Sequence, residues 1–289
     1  MKNKSRLSLF VLSVIFMMGI CCQTMAGGAL WLGTKSLPAK FYTEIVKGNV
    51  PGHSIVHKFG HGDVGTTLVP ITASLKYETP IAAIALEFVS SDVDDTSAGA
   101  GAREITIIGI NANYDEITQV IATNGTTAVA IPTNLRRLYR WYVSASGVYA
   151  TTSTGSHQGT LTIRVASAGA TWSTILFTPY PAGASEICAY TVPDGFRAYI
   201  ISQEIDVDSS KSVDVLVFKR QGIDIVAAPF TQMTTMSHYV GVKGHRPSTP
   251  VTPINSFPAR TDFGYMGKVS SGTADIAVHF EILLIADGY

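Results

Sequence analysis

The sequence predicts an all-β protein: two β-sandwich or jelly-roll-like domains behind a short hydrophobic N-terminal leader. Three observations predict it. Short runs that alternate β-branched with small or polar residues recur along a chain of 289 residues with 26 glycines, as strands closed by turns do. No amphipathic helix of useful length stands out. The strand-like runs lie close together, without the helical spacers of about 10–15 residues that a parallel α/β sheet needs.

The leader comes first. Lys2, Lys4 and Arg6 form a basic start, residues 7–22 are almost wholly apolar, and Gln23-Thr24-Met25-Ala26 closes the segment with small or polar residues. That is the order of a secretory signal, with cleavage expected after Ala26. The apolar run of about 16 residues falls short of the roughly 20 that span a bilayer. No stable membrane span is expected in the processed chain.

The strands then follow in order. Residues 105–110 alternate, 111–116 are turn-rich, and 117–122 read as a second strand. Asn124-Gly125 sits between strand-like 119–123 and 126–131 and predicts a hairpin turn, because Asn-Gly accepts the positive φ angles of a type I′ turn. Residues 141–145 and 159–165 are further strands. Residues 178–185, with two prolines and a glycine, read as a linker. Strands resume at 186–192, 198–203, 213–219 and 223–227. Residues 244–258 are Pro-rich and polar and read as a long surface loop. Residues 274–285 alternate cleanly, with Asp275, Ala277, His279 and Glu281 on one parity against Ile276, Val278, Phe280 and Ile282 on the other. A half-buried strand gives that pattern. The expected domains are 40–177 and 186–287.

Charge and cysteine content narrow the function. Charged residues are 15 % of the chain, and 21 basic side chains balance 21 acidic ones. Without Lys2, Lys4 and Arg6 the remainder holds 18 basic against 21 acidic. Nucleic acid is not an expected partner of so weakly acidic a chain. Loss of the leader also removes Cys21 and Cys22 and leaves Cys188 alone, so no internal disulfide is expected. Cys188 lies in an apolar strand-like run and reads as a buried, inert thiol.

His53, His57 and His61 are spaced by four and share parity on a strand. Four residues of strand rise is about 13 Å, too far for one ion, so the three are expected to be structural or surface histidines unless a turn gathers them. Asp92, Asp94 and Asp95 form an acidic loop, but the calcium-loop template puts Gly sixth and Glu twelfth where this chain has Ser97 and Arg103. A solvated turn is expected there, and the same holds for Asp206, Asp208 and Asp214. The stretch Leu135-Arg136-Arg137-Leu138-Tyr139-Arg140-Trp141-Tyr142 mixes cations with aromatics, and its arginines are expected to cover aromatic faces or pair with acids at an interface. Gly155-Ser156-His157-Gln158-Gly159 places His where a nucleophile elbow has Ser, and no zinc-protease helix or phosphate loop occurs. No catalytic, cofactor or metal residue is assigned, and no enzyme activity is expected. Residues 92–101 and 244–258 are the candidate contact surfaces, as loops on rigid sheets carry recognition.

Several stretches, in order, resemble a family of tailed-bacteriophage virion proteins. They are Lys47-Gly48-Asn49-Val50-Pro51-Gly52-His53-Ser54 with His57-Lys58-Phe59-Gly60, then Asp95-Thr96-Ser97-Ala98-Gly99-Ala100-Gly101-Ala102-Arg103-Glu104-Ile105. Ala122-Thr123-Asn124-Gly125-Thr126-Thr127-Ala128-Val129 and Leu138-Tyr139-Arg140-Trp141-Tyr142-Val143 follow. The second half contributes Ala189-Tyr190-Thr191-Val192-Pro193-Asp194-Gly195, Phe218-Lys219-Arg220 and Gly267-Lys268-Val269-Ser270-Ser271-Gly272-Thr273-Ala274-Asp275. The likeness covers about residues 40–286. It implies a non-enzymatic, self-associating component of a phage head or tail, with other virion proteins as partners and a host surface ligand as a further one. The leader departs from this pattern, because phage particles assemble without export. It leaves three accounts: a start at Met25, a hydrophobic element of the particle, or an exported bacterial binding or adhesion module of phage-like ancestry, periplasmic or extracellular.

Overall fold

The computed structural model describes residues 37–147, 155–178, 183–223, 234–250 and 256–289. The leader, residues 224–227 of the strand expected at 223–227 and part of the expected linker lie outside them, and Ile223 is in a turn. The chain forms two compact units, Met1–Pro51 and Gly52–Tyr289.

The described part of the first unit is a helix that the sequence reading missed, α1 (Leu37–Val46). Pro38 sits in its first turn, where the missing N–H costs nothing. Its end is a Schellman motif: Gly48 N donates to Ile45 O (2.8 Å) and Asn49 N to Glu44 O (2.9 Å), with Gly48 at φ +77°.

The second unit is all β, as expected. Its strands are β1 (His53–Val64), β2 (Val69–Pro70), β3 (Leu86–Ser90), β4 (Ala102–Ile110), β5 (Glu116–Ala122), β6 (Val129–Ala130), β7 (Arg137–Ser146), β8 (Leu161–Val165) and β9 (Thr171–Ile175). There follow β10 (Ala189–Thr191), β11 (Phe196–Val207), β12 (Val213–Arg220), β13 (Thr234–Val242), β14 (Gly244–Pro250), β15 (Asp262–Val269) and β16 (Ala274–Ala286). Among the described residues four antiparallel sheets form, ordered β6-β3-β8-β9, β5-β4-β7, β1-β16-β11-β14 and β10-β15-β12-β13 with β2 beside β15.

The first two sheets bury one core between them, with Phe88, Ile105, Ile107, Trp141, Leu161 and Trp172 at its centre. The other two bury a second, around Tyr190, Val215, Phe263, Tyr265, Val278 and Phe280. Two faces closing on one apolar layer is sandwich packing.

The strand pairing differs from a division into 40–177 and 186–287. β1 runs antiparallel to β16 along its whole length, from His53↔Ile285 to Val64↔Ala274, and β2 pairs with β15. Residues 53–70 therefore belong to the sandwich built mainly by the second half, and β3–β9 form a sandwich inserted between β2 and β10. A chain-local reading cannot find a partner more than 200 residues away. The closure is physically permitted because its entropy cost grows only slowly with length.

Two further expectations are corrected. Asn124-Gly125 is not a hairpin tip, since β5 pairs with β4 and β6 with β3. The chain there crosses from one sheet to the other, with Gly125 N donating to Asp95 O (2.7 Å) and Ser90 N to Gly125 O (3.1 Å). Residues 244–250 are not loop but β14, paired with β11.

The sandwiches meet at a buried ion pair. Arg137 opens β7 and Asp262 opens β15; Nε and Nη2 of Arg137 each reach one Asp262 oxygen at 2.9 Å. Arg137 is 1 % exposed and Asp262 0 %. Thr191 Oγ1 adds a third donor to Asp262 (2.7 Å), and Pro80 O accepts from Arg137 Nη1 (3.0 Å). The neighbouring cations cover rings, Arg136 lying 4.5 Å from the Tyr114 centroid and Arg140 5.5 Å from that of Tyr142. The basic-aromatic stretch thus does what its residue types suggested.

Candidate functional site

The outer face of the β1-β16-β11-β14 sheet gathers most of the chain's histidines. Strand parity places them there. On β16 the residues Ile276, Val278, Phe280 and Ile282 are buried while Asp275, His279 and Glu281 turn away from the core. On β1 the inward positions beside them are Lys58, Gly60, Gly62 and Val64. Gly60 is required by contact: a Cβ there would strike Cys188 and the Ile71 carbonyl. On β11 a register shift between Ile200 and Ser202 lets Ile200 and Ile205 point inward while Glu204 and Asp206 stay outside.

Each of the three β1 histidines finds its own partner. His57 Nδ1 lies 2.6 Å from Glu281 Oε1, its cross-strand neighbour. His61 bridges two carboxylates, Nδ1 to Glu186 at 3.2 Å and Nε2 to Asp275 at 2.5 Å. The hydrogen bond to Glu186 and the charge of Asp275 push its imidazolium up to about 9 against partial burial. The His53 ring faces that of Tyr289, centroids 6.4 Å apart. The three do not converge. His279 stacks on Phe59 at 6.1 Å and sits 6.0 Å from the His57 ring.

Two clefts open on this side. One of about 320 Å³ is lined by His61, Glu186, Asp275, Thr174 and Leu176. The other, about 360 Å³, is lined by His57, Glu204, His279 and Glu281. Beyond the second, Glu204 and Asp206 meet His245 of β14. Asp206 Oδ1 lies 2.6 Å and Glu204 Oε1 3.6 Å from His245 Nδ1, and one ligand atom from each of the three residues lies within 4.8 Å of the others. Sequence reasoning had Asp206 under suspicion but not its partners. Glu204 shares its parity, whereas His245 lies 39 residues away in a stretch that read as loop.

The other acidic candidates separate. Asp95 is not solvated but wholly buried. It accepts from Ser90 Oγ (2.5 Å), Ala102 N (2.7 Å), Gln158 N (3.0 Å) and Gly159 N (2.9 Å), and so anchors the 92–101 loop. Asp92 caps the Asp94 N–H at 2.8 Å. Asp208 caps Ser210 N at 2.8 Å, which holds its carboxyl below the usual range, and Asp214 accepts from Gly241 N at 3.0 Å.

A buried polar group went unseen in the sequence. Lys58 points into the core, donates to Tyr139 O and lies 5.7 Å from the Tyr139 centroid. Burial pushes its ammonium down to about 7. Nearby Glu116 accepts from the hydroxyls of Tyr139 and Tyr190, each at 3.1 Å. Cys188 is buried, as expected, and burial pushes its thiol up. Among the described residues no helix is long and apolar enough to cross a membrane.

No family model and no curated protein matches the chain. Among solved structures it aligns with virus particles at low similarity. The structure of infectious bursal disease virus strain Gx matches at 10 % identity over 82 % of this chain and 72 % of that one, with a TM-score of 0.20. The VP2 subviral particle of the same virus matches at 9 % identity over 82 % and 77 %, with a TM-score of 0.15.

Proposed function

We propose that this chain is a non-enzymatic structural protein of a tailed-phage particle, building or decorating the head or tail through association with copies of itself and with other particle proteins. One observation supports this reading above the rest: the residues that carry the family resemblance lie at framework positions. Asp95 anchors the first acidic loop, Gly60 lets β1 pass close to Cys188, and the Trp141 indole donates to Ser173 Oγ (2.9 Å) inside the first core. The residues from Gly267 to Asp275 span the end of β15, the turn at 270–273 and the start of β16. A signature of turns, joints and core positions is what a scaffold needs, and a low-charge β surface suits permanent contacts.

A second reading is an exported bacterial binding or adhesion protein, favoured by the Lys2–Ala26 order of the leader. Mass spectrometry of purified particles and of the host envelope fraction separates the two. Abundant peptides in particles are the expected result. Peptides beginning at Gly27 in the envelope or medium, with none in particles, would overturn the virion reading in favour of export.

A further inference from the structure

We propose that Glu204, Asp206 and His245 form a binding site for a first-row divalent transition metal ion, of which zinc is the natural probe. The donor set is two carboxylates and one imidazole. Imidazole suits zinc, copper, nickel and cobalt, whereas calcium and magnesium take oxygen donors. The spacing is close to what an ion requires. At bonds of about 2.0–2.2 Å, ligand atoms of a tetrahedral site stand roughly 3.4 Å apart, and here all three lie within 4.8 Å of one another. Small side-chain rotations close that difference.

The backbone sets these donors in place. Asp206 sits directly opposite His245 in the β11–β14 pairing, and a register shift between Gln203 and Ile205 falls at Glu204. Other contacts hold the two strands from the neighbouring positions. Gln203 bonds Tyr239 Oη, and Arg246 lies 4.5 Å over the Tyr239 ring. Sites carried on strands keep their geometry better than sites on loops.

Access from solvent is an independent observation, although Asp206 and His245 lie outside the lining of the neighbouring cleft. Glu204 also lines the 360 Å³ cleft on this face, beside His57 and His279, and His245 itself is exposed. The ion can arrive from solvent and keep water in its remaining positions. The other histidine–carboxylate groups of the face do not qualify. His57 has a single acid partner, and the two acids of His61 sit on opposite ring nitrogens, so no one ion reaches all three groups.

The test is calorimetric titration of the chelator-treated full chain with zinc chloride, with cobalt absorption as a second readout. We expect one ion per chain. Removing a ligand should weaken binding by more than the roughly 10–100-fold that loss of a supporting contact costs, in His245→Ala and in Asp206→Asn alike. His57→Ala should bind as the parent does. Circular dichroism in chelator shows whether each variant is folded, and Glu204→Gln serves as the milder replacement if one is not. No binding at millimolar zinc, unchanged binding by folded His245→Ala, or equal loss in His57→Ala would each overturn the assignment.

Discussion

Lys58 is the residue with most to say about the core. An ammonium buried against Tyr139 and Cys188 is disfavoured by desolvation, and its proton leaves near pH 7 rather than 10.5. Between those values the unfolded chain holds a proton that the folded chain does not. Stability from this group therefore rises with pH across that window, and the full penalty applies below about 7. Lys58→Met keeps the volume and removes the charge, at the cost of leaving the Tyr139 carbonyl without its donor, about 1–3 kcal/mol. The variant should gain stability relative to the parent at pH 6 and lose that advantage by pH 10, as read by urea denaturation at both values. An advantage equal at the two would mean that Lys58 is not charged in the core at pH 6. At the same scale Asp95→Ala leaves two backbone N–H groups of the Gln158-Gly159 turn, Ala102 N and Ser90 Oγ without their acceptor. The loss should be at least about 3 kcal/mol, measured as a drop in the urea midpoint at unchanged slope.

Elements were legible in the sequence where one face of a strand is wet and the other dry. β16 and β12 carry that alternation in their residue order, and each forms where it was expected. β14 was not legible for a physical reason. Pro247 and Pro250 argue against a strand, but among the described residues β14 ends its sheet beside β11, and an edge strand tolerates proline. His245 lies on that strand, so the proposed ion site cannot be assembled from the sequence alone. α1 is marked in the sequence by Pro38 and Gly48 at its two ends alone, since no acidic residue lies in its first turn and no basic residue in its last. The His61 bridge between β1, β16 and the segment before β10 is likewise invisible without pairing, and it makes a prediction. Its folded proton affinity lies near 9 against 6.5 unfolded. Its stabilisation is complete below about pH 6.5 and is lost as pH rises through 9. His61→Gln should lower Tm relative to the parent at pH 6 and leave it nearly unchanged at pH 10. The effect is small, since the ring is about a third exposed and solvent screens it. Lys58 has the opposite slope from 7 upward, so the comparison must be parent against variant at each pH. A Tm difference that does not shrink with pH would show that the bridge acts through packing rather than charge.

At the scale of the whole Gly52–Tyr289 unit, the question is how two sandwiches with separate cores behave as one. The chain crosses between them twice, from β2 to β3 and from β9 to β10, and Arg137–Asp262 locks the joint. Neither charge is solvated, so the pair is held by its own geometry: two parallel N–H···O bonds with Thr191 as a third donor. Removing one partner strands the other charge in the interior, which costs about 3–5 kcal/mol. Arg137→Ala should show that loss, and Arg137→Lys most of it, because a lysine cannot reproduce the bidentate fork. Replacing both partners together, as in Arg137→Met with Asp262→Leu, should recover much of the stability, since the cation that remains, Arg220, 3.8 Å from Asp262, is a fifth exposed and keeps its bond to Thr79 Oγ1. The latch also predicts cooperativity. Trp141 and Trp172 both lie in the first core, so in a Trp31→Phe background fluorescence follows that sandwich while far-ultraviolet circular dichroism follows both. The two transitions should coincide in the parent and separate in Arg137→Ala, with the fluorescence and dichroism midpoints no longer equal. Coincident midpoints in Arg137→Ala, at a stability equal to the parent's, would mean that the shared apolar contacts around Ile187, Ala189 and Phe218 couple the sandwiches without the ion pair.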